Sequence, residues 1–185
     1  MIGSILYYAC AVDSTFLVVL NTIAMQQTAA TGKTIKHIRD LLDYAATHPD
    51  AKIRYKALDM ILQIHSDASY LSEPKARSRA AGHYFLGSLP ANGRPIKLNG
   101  NIYTLCVVLK FVASSAAEAK LGALFLNVKE GRVMRLTLAE MGHPQLPTPI
   151  HCDNATAVGI ANNSVKKHRS RPMEMRYFYT VDQVE

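Results

Sequence analysis

Two short apolar runs in this chain each lead directly into an aspartate, and a helical stretch separates them. The first run, Met60 to His65, alternates at the period of a β-strand and leads to Asp67, where we expect the strand to end. The second, Ile150 to Cys152, leads to Asp153. Because strands connected through helices lie parallel in one sheet, the pattern predicts that both acids lie at the same edge of a sheet.

The remaining periodicity completes a mixed α/β pattern. Alternating residues predict two more strands, over 80–89 and 102–111, and the short links between the first three strands imply an antiparallel meander. Helical spacing then predicts a helix from Ser114 to Gly131 and another over 133–141. A short helix over 155–161 and a last helix over 173–184 follow. The expected sheet therefore has strands 1–3 antiparallel and strand 4 parallel to strand 1.

An all-helical segment precedes the strands. Apolar residues recur at helical spacing in three groups between residues 2 and 47, and Asp13-Ser14 is a plausible N-cap for the second helix. The 185 residues exceed one typical domain but fall short of two. We therefore expect a helical appendage over 1–50 and an α/β domain over 51–185.

Composition limits the class of protein. The 21 Lys and Arg residues against 14 Asp and Glu give a charge of +7, which favours polyanionic partners such as nucleic acid. Cys10, Cys106 and Cys152 are widely spaced among apolar residues, which predicts buried thiols and a reducing, intracellular compartment. Asp13 interrupts the apolar N-terminus well short of the ~20 residues of a membrane span, so no membrane partner is expected.

Asp67, Glu118 and Asp153 are the candidate catalytic residues. Carboxylate oxygens are the ligands that Mg²⁺ or Mn²⁺ prefers, and crowded carboxylates tolerate each other best around a cation. Two such ions could support hydrolysis of a phosphodiester. The alternative is that these acids are caps and solvated turn residues.

Three motifs carry a family resemblance. HSDASY around Asp67, SSAAEAKLGAL around Glu118 and HCDNATAVGIAN around Asp153 resemble the ribonuclease H motifs of copia-type retrotransposon polyproteins. The resemblance implies a ribonuclease H-like fold and a two-ion Mg²⁺ or Mn²⁺ site on these three residues. It also implies an RNA–DNA hybrid as substrate, with endonucleolytic cleavage of the RNA strand.

The first residues extend this resemblance. GSILYYACAVDSTFLVVLN is similar to the end of the reverse transcriptase thumb region that precedes ribonuclease H in the same polyproteins. It implies the polymerase domains as partners, and the cytoplasm, a retroelement particle or the nucleus as location.

The sequence also departs from the family. Pro172 stands where copia elements usually have His, and the family's fourth acid follows one more strand that this sequence does not reach. We therefore expect a truncated domain without the fifth strand and last helix. Glu174 and Asp182 are the late carboxylates able to substitute for the fourth acid, but solvated positions on the last predicted helix are the favoured interpretation of both. The alternative function is a catalytically incompetent nucleic-acid-binding remnant or an interaction fragment of the polyprotein.

Several polar residues are candidate contacts to nucleic acid. Ser114 and Ser115 resemble positions that face the minor groove of the hybrid, where a 2′-hydroxyl distinguishes RNA, although Ser115 also suits an N-cap. Asn154 suits either a phosphate contact or an N-cap. The basic run over 166–171 has four permanent cations, Lys166, Lys167, Arg169 and Arg171. Either these residues bind a phosphate backbone or they form a solvated loop. No zinc-like spacing and no glycine-rich phosphate loop occurs, so no small-molecule cofactor is expected.

Overall fold

The periodicity changes near residue 55, and the chain divides there into two units, Met1–Tyr55 and Lys56–Glu185. The computed structural model describes residues 2–89, 96–162 and 179–183. In that part of the chain no helix combines the length and apolarity needed to cross a membrane. The three cysteines are thiols, but Cys10 is exposed and the other two are half-buried, so their expected burial is wrong.

The first unit contains the three expected helices. They are α1 (Ile2–Ala11), α2 (Phe16–Met25) and α3 (Gly32–Thr47), with a 3₁₀ turn at Gln27–Ala29. Phe16 contacts the rings of Tyr8 and Tyr44 edge-on, with centroids 5.5 and 5.4 Å away. α2 begins after Thr15, whose side chain makes no capping hydrogen bond. Asp13 Oδ1 accepts hydrogen bonds from the Thr15 N–H and hydroxyl in the turn that leads into the helix.

The second unit is built on a four-stranded sheet in the order β3-β2-β1-β4. The strands are β1 (Ile61–Glu73), β2 (Arg77–Gly87), β3 (Asn101–Val108) and β4 (Ile150–Cys152). β2 is antiparallel to both β1 and β3, whereas β4 is parallel to β1. The predicted antiparallel meander with a parallel fourth strand is therefore confirmed.

β1 does not end at Asp67, as the sequence predicted. It continues to Glu73 because Ala68 and Ser69 pair with Ala80 and Arg79 of β2, and a 3₁₀ turn at Pro74–Ala76 closes the hairpin. Residues 69–72 are exposed, so the apolar alternation stops. The register shifts after Ser69, and pairing resumes where Glu73 lies opposite Arg77. Asp67 consequently lies within a paired strand.

The two helices predicted on either side of Gly131 are one continuous helix, α4 (Ala116–Glu140). Gly131 stays helical and brings α4 close to β1, since a Cβ there would lie 2.5 Å from Ile64 Cδ1. A short helix, α5 (Ala155–Ala161), follows β4. Residues 179–182 are also helical, but most of the last predicted helix lies outside the described residues.

The core of this unit lies between the sheet and α4. Its buried side chains include Leu62, Ile64, Ala80, Tyr84, Leu105, Ala119 and Ala123. A buried polar network crosses it: Asn127 Oδ1 accepts from the Tyr84 hydroxyl at 2.6 Å, and Asn127 Nδ2 donates to Ser66 Oγ at 2.8 Å and to the Ala81 carbonyl at 3.0 Å. This network fixes the position of α4 over β1 and β2.

Gly82 tests the importance of the network. A Cβ at this position would lie 1.9 Å from Asn127 Oδ1, so Gly82→Ala must displace Asn127 and leave buried polar groups unpaired. We expect the free energy of unfolding to fall by about 2–4 kcal/mol, measured by urea denaturation with near-ultraviolet circular dichroism. Gly3→Ala is the control, because nothing lies within 4 Å of its Cβ. Equal stability of the two variants would contradict this packing.

Candidate functional site

The pairing of β4 with β1 places Asp67 and Asp153 side by side. Ile64 pairs with Ile150 and Ser66 with Cys152 in parallel register. The next residue of each strand is an aspartate, at the point where β4 ends and β1 continues. β4 ends there because Asn154 caps α5, its side chain accepting from the Ala157 N–H at 2.8 Å.

One lysine joins the two aspartates. Lys120 Nζ donates to Asp153 Oδ1 at 2.7 Å and also to Asp67 Oδ1. The Lys120 side chain is only 14% exposed, whereas those of Asp67 and Asp153 are 66% and 72% exposed. The ammonium therefore lies on the buried side of the two carboxylates. We call these three residues the Asp–Lys–Asp cluster.

The direction of Lys120 follows from the packing of α4. Leu124 and Val128 follow Lys120 at four-residue intervals, and both belong to a buried group that packs with Ile150 of β4. Residues four apart lie on the same side of a helix. Lys120 therefore lies in the same row, one turn nearer the start of α4, and its side chain reaches Asp153, the residue that follows β4.

Hydrogen bonding stabilises the charged forms of the cluster. The hydrogen bond from Lys120 lowers the pKa of Asp67, and it outweighs burial, which raises that pKa; the Ala68 N–H, 2.6 Å from Asp67 Oδ1, lowers it further. Burial lowers the pKa of Lys120, but the hydrogen bonds to Asp153 and Asp67 outweigh it, so that pKa is raised. At neutral pH the three charges sum to −1.

The histidine beside Asp153 does not add positive charge to the cluster. His151 lies two residues before Asp153, and its ring centroid is 4.9 Å from that of His65. Burial, and then the nearby His65, lower the pKa of His151. The ring is therefore neutral at pH 7, and the compensating charge on the aspartates comes from Lys120.

Glu118 has a different role in the structure. Its Oε2 accepts hydrogen bonds from the Ser114 N–H at 2.7 Å and the Ser114 hydroxyl at 2.6 Å, and its own N–H donates to Ser115 Oγ at 3.1 Å. Ser115 is the N-cap of α4, as one of its two interpretations predicted. Glu118 and Lys120 are separated by about 200° around the helix, so they cannot both point at the aspartates.

The structure thus brings Asp67 and Asp153 together but not Glu118 with them. Among the described residues, no three His, Cys, Asp or Glu side chains are grouped so that they could hold a metal ion. In this arrangement the residues do not fit a two-ion site, because Lys120 Nζ is hydrogen-bonded to Oδ1 of both aspartates and the Ser114 hydroxyl is hydrogen-bonded to Glu118 Oε2. The assignment of the three acids as Mg²⁺ or Mn²⁺ ligands stays a prediction.

The other predicted site residues are placed as follows. Ser114 and Ser115 are exposed at the start of α4, and Asn154 is half-buried as the N-cap of α5. Asp182 is exposed, and its Oδ2 accepts from Gln183 at 3.1 Å. The remaining predicted residues lie outside the described ranges: Lys166, Lys167, Arg169, Arg171 and Glu174.

Lys120 is the residue that the sequence prediction missed. It stands between Ala119, which is fully buried, and Leu121, which is 2% exposed. A lysine within such an apolar stretch of helix signals a paired charge, because lysine is almost never buried without a partner. That signal was present in the sequence, but it does not identify the partner.

Comparisons with family models, with curated proteins and with solved structures found no match to this chain. The site is therefore defined by its own geometry. Two carboxylates from neighbouring parallel strands share one ammonium near the start of α4.

The pKa of Asp67 tests the role of Lys120. A depressed pKa means that this carboxyl contributes stability above its unfolded value of 3.8, and that the contribution is lost as the pH falls through the lower folded value. We expect carbon-13 NMR to show Asp67 titrating below 3.8 in the native chain and higher in Lys120→Met. Lys129→Met, an exposed position roughly 13 Å further along α4, should leave the Asp67 titration unchanged. An unchanged Asp67 pKa in Lys120→Met would show that the contact does not form.

Proposed function

We propose that this chain is a ribonuclease H-like domain of a copia-type retroelement polyprotein that binds RNA–DNA hybrids at the edge carrying the Asp–Lys–Asp cluster. The observation that carries the proposal is the convergence of Asp67 and Asp153, from neighbouring parallel strands, on one cation. The sheet order β3-β2-β1-β4, with β1 parallel to β4, is consistent with a ribonuclease H-like arrangement. The sequence resemblance supplies the substrate class.

The start of α4 lies beside the cluster and supports binding of a phosphate backbone. α4 begins at Ala116, four residues before Lys120, whose ammonium contacts both aspartates. The N–H groups at a helix start carry partial positive charge and favour anions. Exposed hydroxyls at Ser114 and Ser115 offer partners for 2′-hydroxyls, and the chain charge of +7 adds general attraction.

The second candidate is metal-dependent endonucleolytic cleavage of the RNA strand by Asp67, Glu118 and Asp153. The meeting of two of its three carboxylates favours it. Cleavage would require Lys120 to leave both aspartates and Glu118 to leave Ser114. Binding without cleavage requires neither change, and we therefore prefer it.

Hybrid binding is tested by a charge placed at the start of α4. Ala116→Glu puts a carboxylate at an exposed first helical position, which suits the helix but repels phosphate. We expect it to weaken hybrid binding roughly threefold or more in fluorescence anisotropy at low salt. Val133→Glu makes the same charge change at a 60% exposed position about 25 Å along α4 and is the control. Equal weakening by both variants would mean that the hybrid does not bind at this edge.

Cleavage is tested on a labelled RNA–DNA hybrid with and without Mn²⁺. The preferred proposal expects the native chain and Asp67→Asn to show the same background, because the cation between the two aspartates is Lys120 rather than a metal ion. Mn²⁺-dependent cleavage by the native chain that Asp67→Asn abolishes would establish the second candidate in its place.

A further inference from the structure

The position of Lys120 has a consequence for metal binding. Its ammonium contacts the two oxygens, Asp67 Oδ1 and Asp153 Oδ1, that converge at the end of β4. We infer that Lys120 is a built-in replacement for a divalent cation, so that the native Asp–Lys–Asp cluster is assembled without metal and excludes Mg²⁺ and Mn²⁺. Lys120, rather than Glu118, is then the residue that completes the site with Asp67 and Asp153.

The hydrogen-bonding capacity of the inner oxygens supports this assignment. Asp67 Oδ1 already accepts from the Ala68 N–H at 2.6 Å as well as from Lys120. Asp153 Oδ1 accepts from Lys120 at 2.7 Å. A divalent ion that bridged Asp67 Oδ1 and Asp153 Oδ1 would have to lie between these two oxygens, where Lys120 Nζ lies.

Charge and packing oppose exchange of the lysine for an ion. A divalent ion that approached the exposed side of the carboxylates would be attracted by a net charge of only −1, because the nearby ammonium offsets one of the two negative charges and itself repels the ion. Moving Lys120 away would break both ion pairs of a side chain that is 14% exposed. We therefore expect the Lys120 ammonium to stay on the buried side of the two carboxylates, with water on their exposed side.

Replacing the charge at residue 120 should reverse this preference. Lys120→Glu would place a third carboxylate beside Asp67 and Asp153 and change the cluster from −1 to −3. Crowded carboxylates favour a cation between them, and oxygen ligands suit Mg²⁺ and Mn²⁺. Lys120→Met removes the ammonium without adding a ligand and should bind Mn²⁺ more weakly than Lys120→Glu.

The experiment measures the melting temperature of metal-stripped protein with and without Mn²⁺, together with free Mn²⁺ by electron paramagnetic resonance. We expect no Mn²⁺-dependent shift for the native chain. Lys120→Glu should gain about 3 °C or more at Mn²⁺ concentrations ten times its Kd, because an ion that binds only the native state stabilises it. Adding Asp67→Asn to Lys120→Glu should remove the gain, and Lys129→Glu, with the same charge change at an exposed site on α4, should not produce it.

Two results would overturn the assignment. One is Mn²⁺ binding by the native chain that Asp67→Asn abolishes; the other is failure of both Lys120→Glu and Lys120→Met to bind more Mn²⁺ than the native chain. If Lys120→Glu does not fold, the electron paramagnetic resonance measurement on Lys120→Met decides. Metal exclusion does not require nucleic-acid binding, so a native chain that binds no RNA–DNA hybrid would contradict only the proposed function.

Discussion

The parallel register of β1 and β4 determines what the end of the sheet can do. Ser66 pairs with Cys152, so Asp67 and Asp153 are forced to the same level on neighbouring strands. Two carboxylates held side by side repel each other unless a cation lies between them. The structure meets this requirement with Lys120. A shift of β4 by one residue would separate the aspartates and leave the lysine with one partner.

The packing of α4 decides which residue supplies the cation. Small or polar residues at four-residue intervals form the stripe of α4 that lies against the sheet: Ala119, Ala123, Asn127 and Gly131. This stripe permits close approach, and the bonds of Asn127 to Ser66 and Ala81 fix the rotation of the helix. With that rotation Lys120 points towards β4. Glu118 points elsewhere and secures the start of the helix through Ser114.

Sequence patterns predicted the arrangement of the strands better than the composition of the site. The period of the apolar residues predicted β1, and the helical connection to the second apolar run predicted β4 parallel to it, with the two aspartates together. The predicted end of β1 was wrong because Ala68, Ser69 and Glu73, which lie beyond Asp67, still pair with β2. The break at Gly131 was wrong because that glycine serves close packing rather than helix termination. Helix rotation depends on tertiary contacts, so the preference for Lys120 over Glu118 could not be derived from spacing.

An ammonium and a divalent ion have different effects on a nucleic acid approaching this edge. A divalent ion would cancel the charge of both aspartates, whereas Lys120 leaves the cluster at −1, with the carboxylates facing solvent at 66% and 72% exposure. A phosphate is repelled by that surface. In the proposed function the phosphate backbone would therefore contact the start of α4 rather than the cluster, and the negative charge of the cluster would limit how closely the backbone approaches.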